Sequence, residues 1–400
     1  MLTPAYLYTV SDEVAATYSQ LSNDILADIA RRIAKTDVMT PATEWQLQKM
    51  AEMNMISSDT VKHLSKTTGK SERQIKKLLR KSGVDALAYD DKVYRAAGLT
   101  PTAIAASPAL QGIILQGADN VLAVIGNYTK SLATTTSKAI GNSLDRAYLQ
   151  VMSGAFDPNT AIHRAINDLA RGGYESIAYP SGHIDRVETV VRRAVTTGVN
   201  QTCAKLTLER MYDMECDLVE VSSHAGARPS HSEWQGRIYC INGRRGRYDD
   251  FYSATGYGDG DGLCGWNCRH SFFPYFEGLS TRSFEHDPAR HTGKTNDEIY
   301  EESQRQRQLE NAVRKAKQEC IVYDAAVQSA ENDELRAELR QEYDRAAYKL
   351  KQRQDQLDNF VTSKERTRLP ERETVAGFGR SQAAKATWGN RRETERRANT

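Results

Sequence analysis

The sequence predicts a mainly α-helical, multi-segment chain with one small α+β, Cys/His-rich central module and a C-terminal αα-hairpin. Three observations carry that expectation. Apolar residues recur at three- and four-residue steps over long stretches on both sides of the middle of the chain. Between residues 216 and 278 that period stops, and short alternating runs, glycines and aromatics take its place. The composition is also wet for 400 residues, with 26% charged against 39% hydrophobic residues, which suits long solvated helices better than one compact core.

Five segments follow: helical regions at 1–98 and 99–215, the module at 216–278, the hairpin at 279–362, and a basic tail at 363–400 expected to be disordered. In the first, residues 11–35 read as an amphipathic helix with Val14, Tyr18, Leu21, Ile25, Ile29 and Ile33 on one face and Ser11 at the N-cap. A second helix starts at Thr40-Pro41, where proline at the first helical position costs nothing. "SSDTVKHLSKTTG" and "KSERQIKKLLRKSG" read as two short helices joined at Thr67–Lys70, the outline of a helix-turn-helix with a basic second helix. The same pattern suits an ordinary helix pair with a solvated lysine face.

Residues 99–150 carry a weak helical period, and "DPNTAIHRAINDLARGG" is a helix closed by glycines. The stretch from Gly182 to Met211 is a long helix with Val187, Val190, Val191 and Val199 in its buried stripe. "DLVEVSSH", "RIYCIN" and "HSFFPYF" are strand candidates within the module. Residues 296–328 and 332–361 form the hairpin, its second helix buried through Leu335, Leu339, Tyr343, Leu350 and Leu357.

Net charge is only +2, so the whole chain makes no strong field for nucleic acid. From Lys364 to Thr400, however, ten basic residues face five glutamates. That tail is either a solvated arm or a phosphate contact through Arg391, Arg392, Arg396 and Arg397. The N-terminus lacks the pattern of a secretory signal. The most apolar run, residues 109–126, is broken by Gln111, Gln116, Asp119 and Asn120, which argues against a membrane span. A chain made in a reducing compartment is expected to keep its six cysteines as thiols or metal ligands.

The module holds His224, His231, Cys240, Cys264, Cys268 and His270, three of the eight histidines and three of the six cysteines. A small glycine-rich unit has little apolar surface, and a metal can replace that stabilisation. Cys268 and His270, two apart on a strand, face one side. Cys264 can turn back towards them and His231 can complete a tetrahedral zinc set, with His224 in reserve. Two other readings stay open: a metal-free hydrogen-bonded core, and catalysis. The catalytic version casts Cys268, His231 and Asn267 as nucleophile, base and orienter, or His224, His231 and His270 as a nuclease site. No nucleophile elbow or His-Glu-x-x-His motif supports it, and "HTGKT" at 291–295 lacks the earlier glycine of a phosphate loop. Arg228, Arg237, Arg244, Arg245 and Arg247 give the module a basic rim.

"HAGARPSHSEWQGRIY" followed by "GDGLCGWNCRHSFFPYFEG" resembles the signature of the phage minor capsid protein 2 family, relatives of the Mu-F-like minor head proteins. "LSNDILADIARRIAKTDVMTPATEWQLQKM" is similar to that family's N-terminal helices, and "RVETVVRRAVTTGVNQTCAKL" to the helix entering its module. The resemblance covers about residues 1 to 285.

It implies a structural component of a tailed-phage head, associated with the portal protein or the major capsid protein, and acting in head assembly or in DNA packaging and ejection. Packaged DNA is a further implied partner; no membrane, no small-molecule substrate and no turnover are expected. Location would be the virion, after synthesis in the host bacterial cytoplasm. Some Mu-F-like relatives carry Cys-x-x-Cys before the glycine and Cys-Arg-Cys at the end of the module. His231 stands at the second cysteine of that first pair, and Cys268-Arg269-His270 stands at the Cys-Arg-Cys. That keeps the capacity for structural zinc, while Arg228 at the first cysteine leaves the fourth ligand undetermined. The competing functions are a virion-delivered nuclease or cysteine hydrolase using the central cluster, and a helix-turn-helix DNA-binding protein.

Overall fold

Apolar stripes at helical spacing become long helices. The structure, a computed structural model, describes residues 2–35, 42–152, 157–172, 177–178 and 184–399. The N-terminal helices are α1 (Pro4–Thr9), α2 (Asp12–Ala34), α3 (Ala42–Ala96), α4 (Pro108–Met152), α5 (Pro158–Gly172) and α6 (Val187–Asp213). A two-stranded ribbon, β1 (Ile177–Ala178) and β2 (Ile184–Asp185), precedes α6. The module contains β3 (Leu218–Val221), α7 (Pro229–Ser232), β4 (Ile238–Cys240), β5 (Asp249–Asp250), α8 (Phe251–Thr255) and β6 (Phe272–Tyr275). The last helices are α9 (Asn296–Ser329), α10 (Asp333–Ser363), α11 (Pro370–Glu373) and α12 (Arg380–Ala398). The mainly α class with one small α+β module is therefore as the sequence predicts.

The chain gathers into two compact units, each assembled from three stretches rather than from consecutive segments. One comprises Met1–Ala15, Gly69–Gly126 and Thr189–Gln304; the other comprises Ala16–Thr68, Asn127–Glu188 and Arg305–Thr400. The boundaries fall inside α2, α3, α4, α6 and α9, so periodicity along one helix cannot reveal them.

In the first unit a four-stranded sheet has the order β5-β4-β3-β6, with β3 antiparallel to both neighbours and β5 parallel to β4. Side chains alternate across it as the two-residue period requires. Val219 and Val221 join Tyr239 and Phe272 in a core with Leu208 and Met211 of α6 and Tyr94 of α3. Leu218, Cys240, Tyr248 and Tyr275 pack on the other face. Pro274, which has no N–H to donate, sits in the edge strand β6.

In the second unit α9 and α10 form the expected hairpin. Asn332 caps α10 by accepting from Leu335 N at 3.0 Å, and Lys349 reaches across to Glu319 at 2.8 Å. The predicted disordered tail is instead partly helical. Its charges are the reason: α12 lies against α10, with Arg392 and Arg396 on the buried carboxylate of Asp344, while Lys385 reaches the buried carboxylate of Asp324 on α9 at 2.8 Å. Arg391 bonds Glu395 at 2.9 Å, and Arg397 bonds Glu393 at 2.8 Å while stacking on Tyr348. The four arginines read as phosphate contacts are thus engaged within the unit. Gly389 allows the close approach, since a Cβ there would press on Ala347.

A second correction concerns the helix-turn-helix. Thr67–Lys70 lie inside the single helix α3, and no turn separates the two short segments. One interior glycine costs about 1 kcal/mol relative to alanine, too little to break a helix whose flanks favour it. Ser71, at the start of the second of those segments, is a fully buried interior residue of α3. Thr40, Pro41 and His183 lie outside the described residues.

Pro108–Thr129 of α4 is long and apolar enough in composition to cross a bilayer. Leu110, Ile114, Ala118, Val121 and Ile125 form its buried stripe, while Leu115 and Val124 are exposed. The polar residues Gln111, Gln116, Asp119 and Asn120 share the exposed side.

Replacing Gly69 with alanine, at a site with open space around the Cβ, is expected to raise stability by about 0.5–1 kcal/mol, measured by urea unfolding; a turn at this position would give a loss instead. Asp344→Ala removes the shared acceptor of Arg392 and Arg396. It should lower stability by about 1–3 kcal/mol and speed amide exchange in α12 relative to α10, read by hydrogen–deuterium exchange.

Candidate functional site

Three stretches of the first unit converge on the Cys/His cluster. His231 stands on the single turn α7, whose start is set by Pro229 at the first helical position. Cys268 and His270 lie just before β6, and Asn200 projects from α6 between them. The Asn200 amide nitrogen donates to the carbonyls of Cys268 at 3.1 Å and His270 at 2.9 Å. One side chain thus fixes the extended run in which Cys268 and His270 point the same way. Ser222 continues the pairing into the sheet, with Ser222 N donating to Ser271 O at 2.8 Å.

The preceding loop is held by backbone contact. Gly262 and Gly265 lie so near the carbonyls of Gly256 and Gly260 that a Cβ at either would overlap them. Cys264 and Asn267 adopt left-handed backbone, φ 60° each, which asparagine tolerates well and cysteine does not. Asn267 N donates to Thr197 Oγ1 of α6 at 3.0 Å.

Of the predicted ligands, the structure brings His231, Cys268 and His270 together. Their donor atoms all lie within 4.8 Å of one another and the residues are 3%, 2% and 1% exposed. Cys268 Sγ is 3.8 Å from His231 Nδ1 and 3.6 Å from His270 Nδ1. Cys264 is not in this group; its thiol points to Asn200 Oδ1 and the His270 carbonyl, each at 3.7 Å. The left-handed turn at Cys264 directs its sulfur towards α6 rather than back to Cys268. His224 stacks on His270 with ring centroids 4.6 Å apart and bonds Ala225 O through Nδ1, so it contributes a wall rather than a donor. Trp234 closes another side, 4.6 Å from the His231 ring and 4.9 Å from that of His270.

Hydrogen bonds assign the tautomers. His231 Nε2 is 2.7 Å from the Asp261 carbonyl, which only accepts, so Nε2 carries the proton. Gln235 Oε1 accepts from His224 N at 3.1 Å, which identifies it as oxygen; His270 Nε2, 2.9 Å from the same atom, is therefore also N–H. Both Nδ1 lone pairs are left facing one sulfur. Burial holds the His231 imidazole below its usual pKa. His270 is held well below it by burial, then by the neighbouring imidazoles. Burial pushes the Cys268 thiol up to about 11 and Cys264 well above the ordinary thiol range.

Asn200, Gln235 and the Asp261 carbonyl were not singled out from the sequence. Asn200 carries a faint signal, a polar residue beside the apolar stripe of a long helix; Gln235 carries none beyond its place between Trp234 and Gly236. The basic rim is largely balanced: Arg245 pairs with Asp217 at 3.1 Å, Arg244 with Asp249 at 3.7 Å and Arg247 with Glu277 at 2.8 Å. An open cleft of about 380 Å³ is lined by Arg237, Arg247, Arg282, Tyr239, Tyr248 and Tyr275, among others. The arginines there already hydrogen-bond to His286, Glu277 and the Gly236 carbonyl.

Residues 2–362, nearly all of the chain and including the module just described, match the phage minor capsid protein 2 family. The chain belongs to that family. It is also similar to a "Structural protein" of Lactococcus phage LL-H, 23% identical over 287 residues that span 69% of this chain and 76% of that one. No solved structure matches it. The family match extends the resemblance seen in the sequence through the hairpin. A minor capsid protein has a structural role in the virion and assembles with other virion components.

Asn200→Ala removes the amide donor from two buried carbonyls, each loss costing about 1–3 kcal/mol. The expected loss is about 2–4 kcal/mol in urea unfolding followed by tryptophan fluorescence, and Asn200→Asp, which keeps the size but not the donor, should lose a similar amount.

Proposed function

We propose that this minor capsid protein is a low-copy head component seated at the portal or the inner capsid surface, working in assembly and in DNA packaging or ejection by contact rather than turnover. The single observation carrying this reading is the family match across residues 2–362. The geometry supports it in two ways. The one Cys/His cluster among the described residues is closed off, so a substrate has no approach to Cys268 without displacing Trp234 or the 256–266 loop. That same loop displays Trp266, 65% exposed, on the outside. Exposed aromatics on a rigid base are favoured anchors for protein contacts, and stable interfaces bury on the order of 1,200–2,000 Å².

The portal protein is the first partner on this reading and the major capsid protein the second. Packaged DNA is a weaker one, because the tail arginines already bond Asp344, Glu393 and Glu395. Synthesis in the host cytoplasm completes the proposal. The test is co-expression with the portal protein or the major capsid protein, followed by size-exclusion chromatography. Co-elution with the portal ring is expected, and elution of the chain alone from both mixtures overturns the reading. Trp266→Ala should weaken portal binding about tenfold or more with an unchanged circular dichroism spectrum.

A further inference from the structure

We infer that His231, Cys268 and His270 form a three-donor zinc centre, bound through the two Nδ1 atoms and the sulfur, with Cys264 outside the coordination sphere. The inference rests on local geometry and does not depend on the virion partner.

Proton counting comes first. Both imidazoles spend their Nε2 protons on fixed acceptors, the Asp261 carbonyl and Gln235 Oε1. Two Nδ1 lone pairs then converge on Cys268, and a thiol has one proton to offer. Without a cation, one buried lone pair in the cluster goes unsatisfied. A divalent ion removes the deficit by accepting both nitrogen lone pairs and a thiolate together, the thiol proton leaving to solvent.

The sulfur–nitrogen distances agree. Zinc–nitrogen and zinc–sulfur bonds at a tetrahedral angle place S and N about 3.6 Å apart and two nitrogens about 3.4 Å apart. The observed S···N separations are 3.6 and 3.8 Å, and all three donors lie within 4.8 Å. The surroundings match those of bound ligands. Each histidine donates its outer N–H to an oxygen, the arrangement that orients a metal-bound imidazole. His270 N–H also points to Cys268 Sγ at 3.4 Å, which stabilises a thiolate. The mixed imidazole–thiolate set selects zinc over the hard cations calcium and magnesium.

The test uses the full chain. Purified protein is stripped with chelator and titrated with zinc against a chromophoric competitor, and separately loaded with cobalt(II). One zinc per chain is expected. Cobalt should give a tetrahedral visible band and a sulfur-to-metal charge-transfer band with the intensity of one thiolate. Cys264→Ser should keep the metal equivalent and the charge-transfer band, whereas Cys268→Ser should lose both. The wild-type spectra stand even if a variant fails to fold. Zinc binding below a tenth of an equivalent at micromolar concentrations overturns the centre, as does a cobalt spectrum without sulfur charge transfer. Two-thiolate intensity that drops in Cys264→Ser overturns the three-donor set.

Discussion

The first unit depends on one amide. Asn200, fully buried on α6, holds the carbonyls on either side of Arg269 and thereby attaches the run entering β6 to the central helix. Everything nearby takes its position from that attachment. Cys268 and His270 face inward because their carbonyls face Asn200, and His231 and Trp234 pack onto the surface they create. A hydrophobic residue at 200 would bury comparable area but specify no register, and a one-residue slip would turn both donor side chains outward. Directional bonds in a buried site specify a unique arrangement more strongly than area does.

The second unit uses charge for the same purpose. Asp324 and Asp344 are buried acids, and each is met by basic side chains from α12. Removing either side leaves a charge in a poor solvent, so these pairs position α12 on α9 and α10 more than they add net stability. This is why ten basic residues in the last segment make no free cationic arm. A count of charges along a chain measures its field only when the opposite charges are not folded against it.

Legibility followed physical range. The stripe Val14–Ile33, the hairpin helices and the strands β3, β4 and β6 were all readable, because each depends on a local period that burial imposes. The turn assigned to Thr67–Lys70 was wrong because glycine signals a break only when tertiary contacts accept one, and here the helix runs on. The tail was misread because its order comes from Asp324 and Asp344, far away in sequence. At the site, His231, Cys268 and His270 could be grouped from side-chain type and spacing. Cys264 could not be placed, since its direction is set by a left-handed φ invisible in the sequence. Asn200 and Gln235 act through backbone atoms of other segments, and no spacing rule reports such bonds.

On the proposed contact role, membership in a minor capsid family and a buried, fully oriented Cys/His cluster answer one requirement. A protein that works by contact needs a face whose shape persists through assembly, and a glycine-rich loop is a poor source of rigidity. Between Thr255 and Trp266 the chain has five glycines and a left-handed cysteine, yet it ends in an exposed tryptophan. The Asp261 carbonyl bonded to His231 holds that loop at its middle, and Asn267 N bonded to Thr197 holds its far end. Fixing His231 therefore fixes Trp266 at second hand. Burying the cluster and exposing the aromatic is the arrangement that suits the proposed docking role.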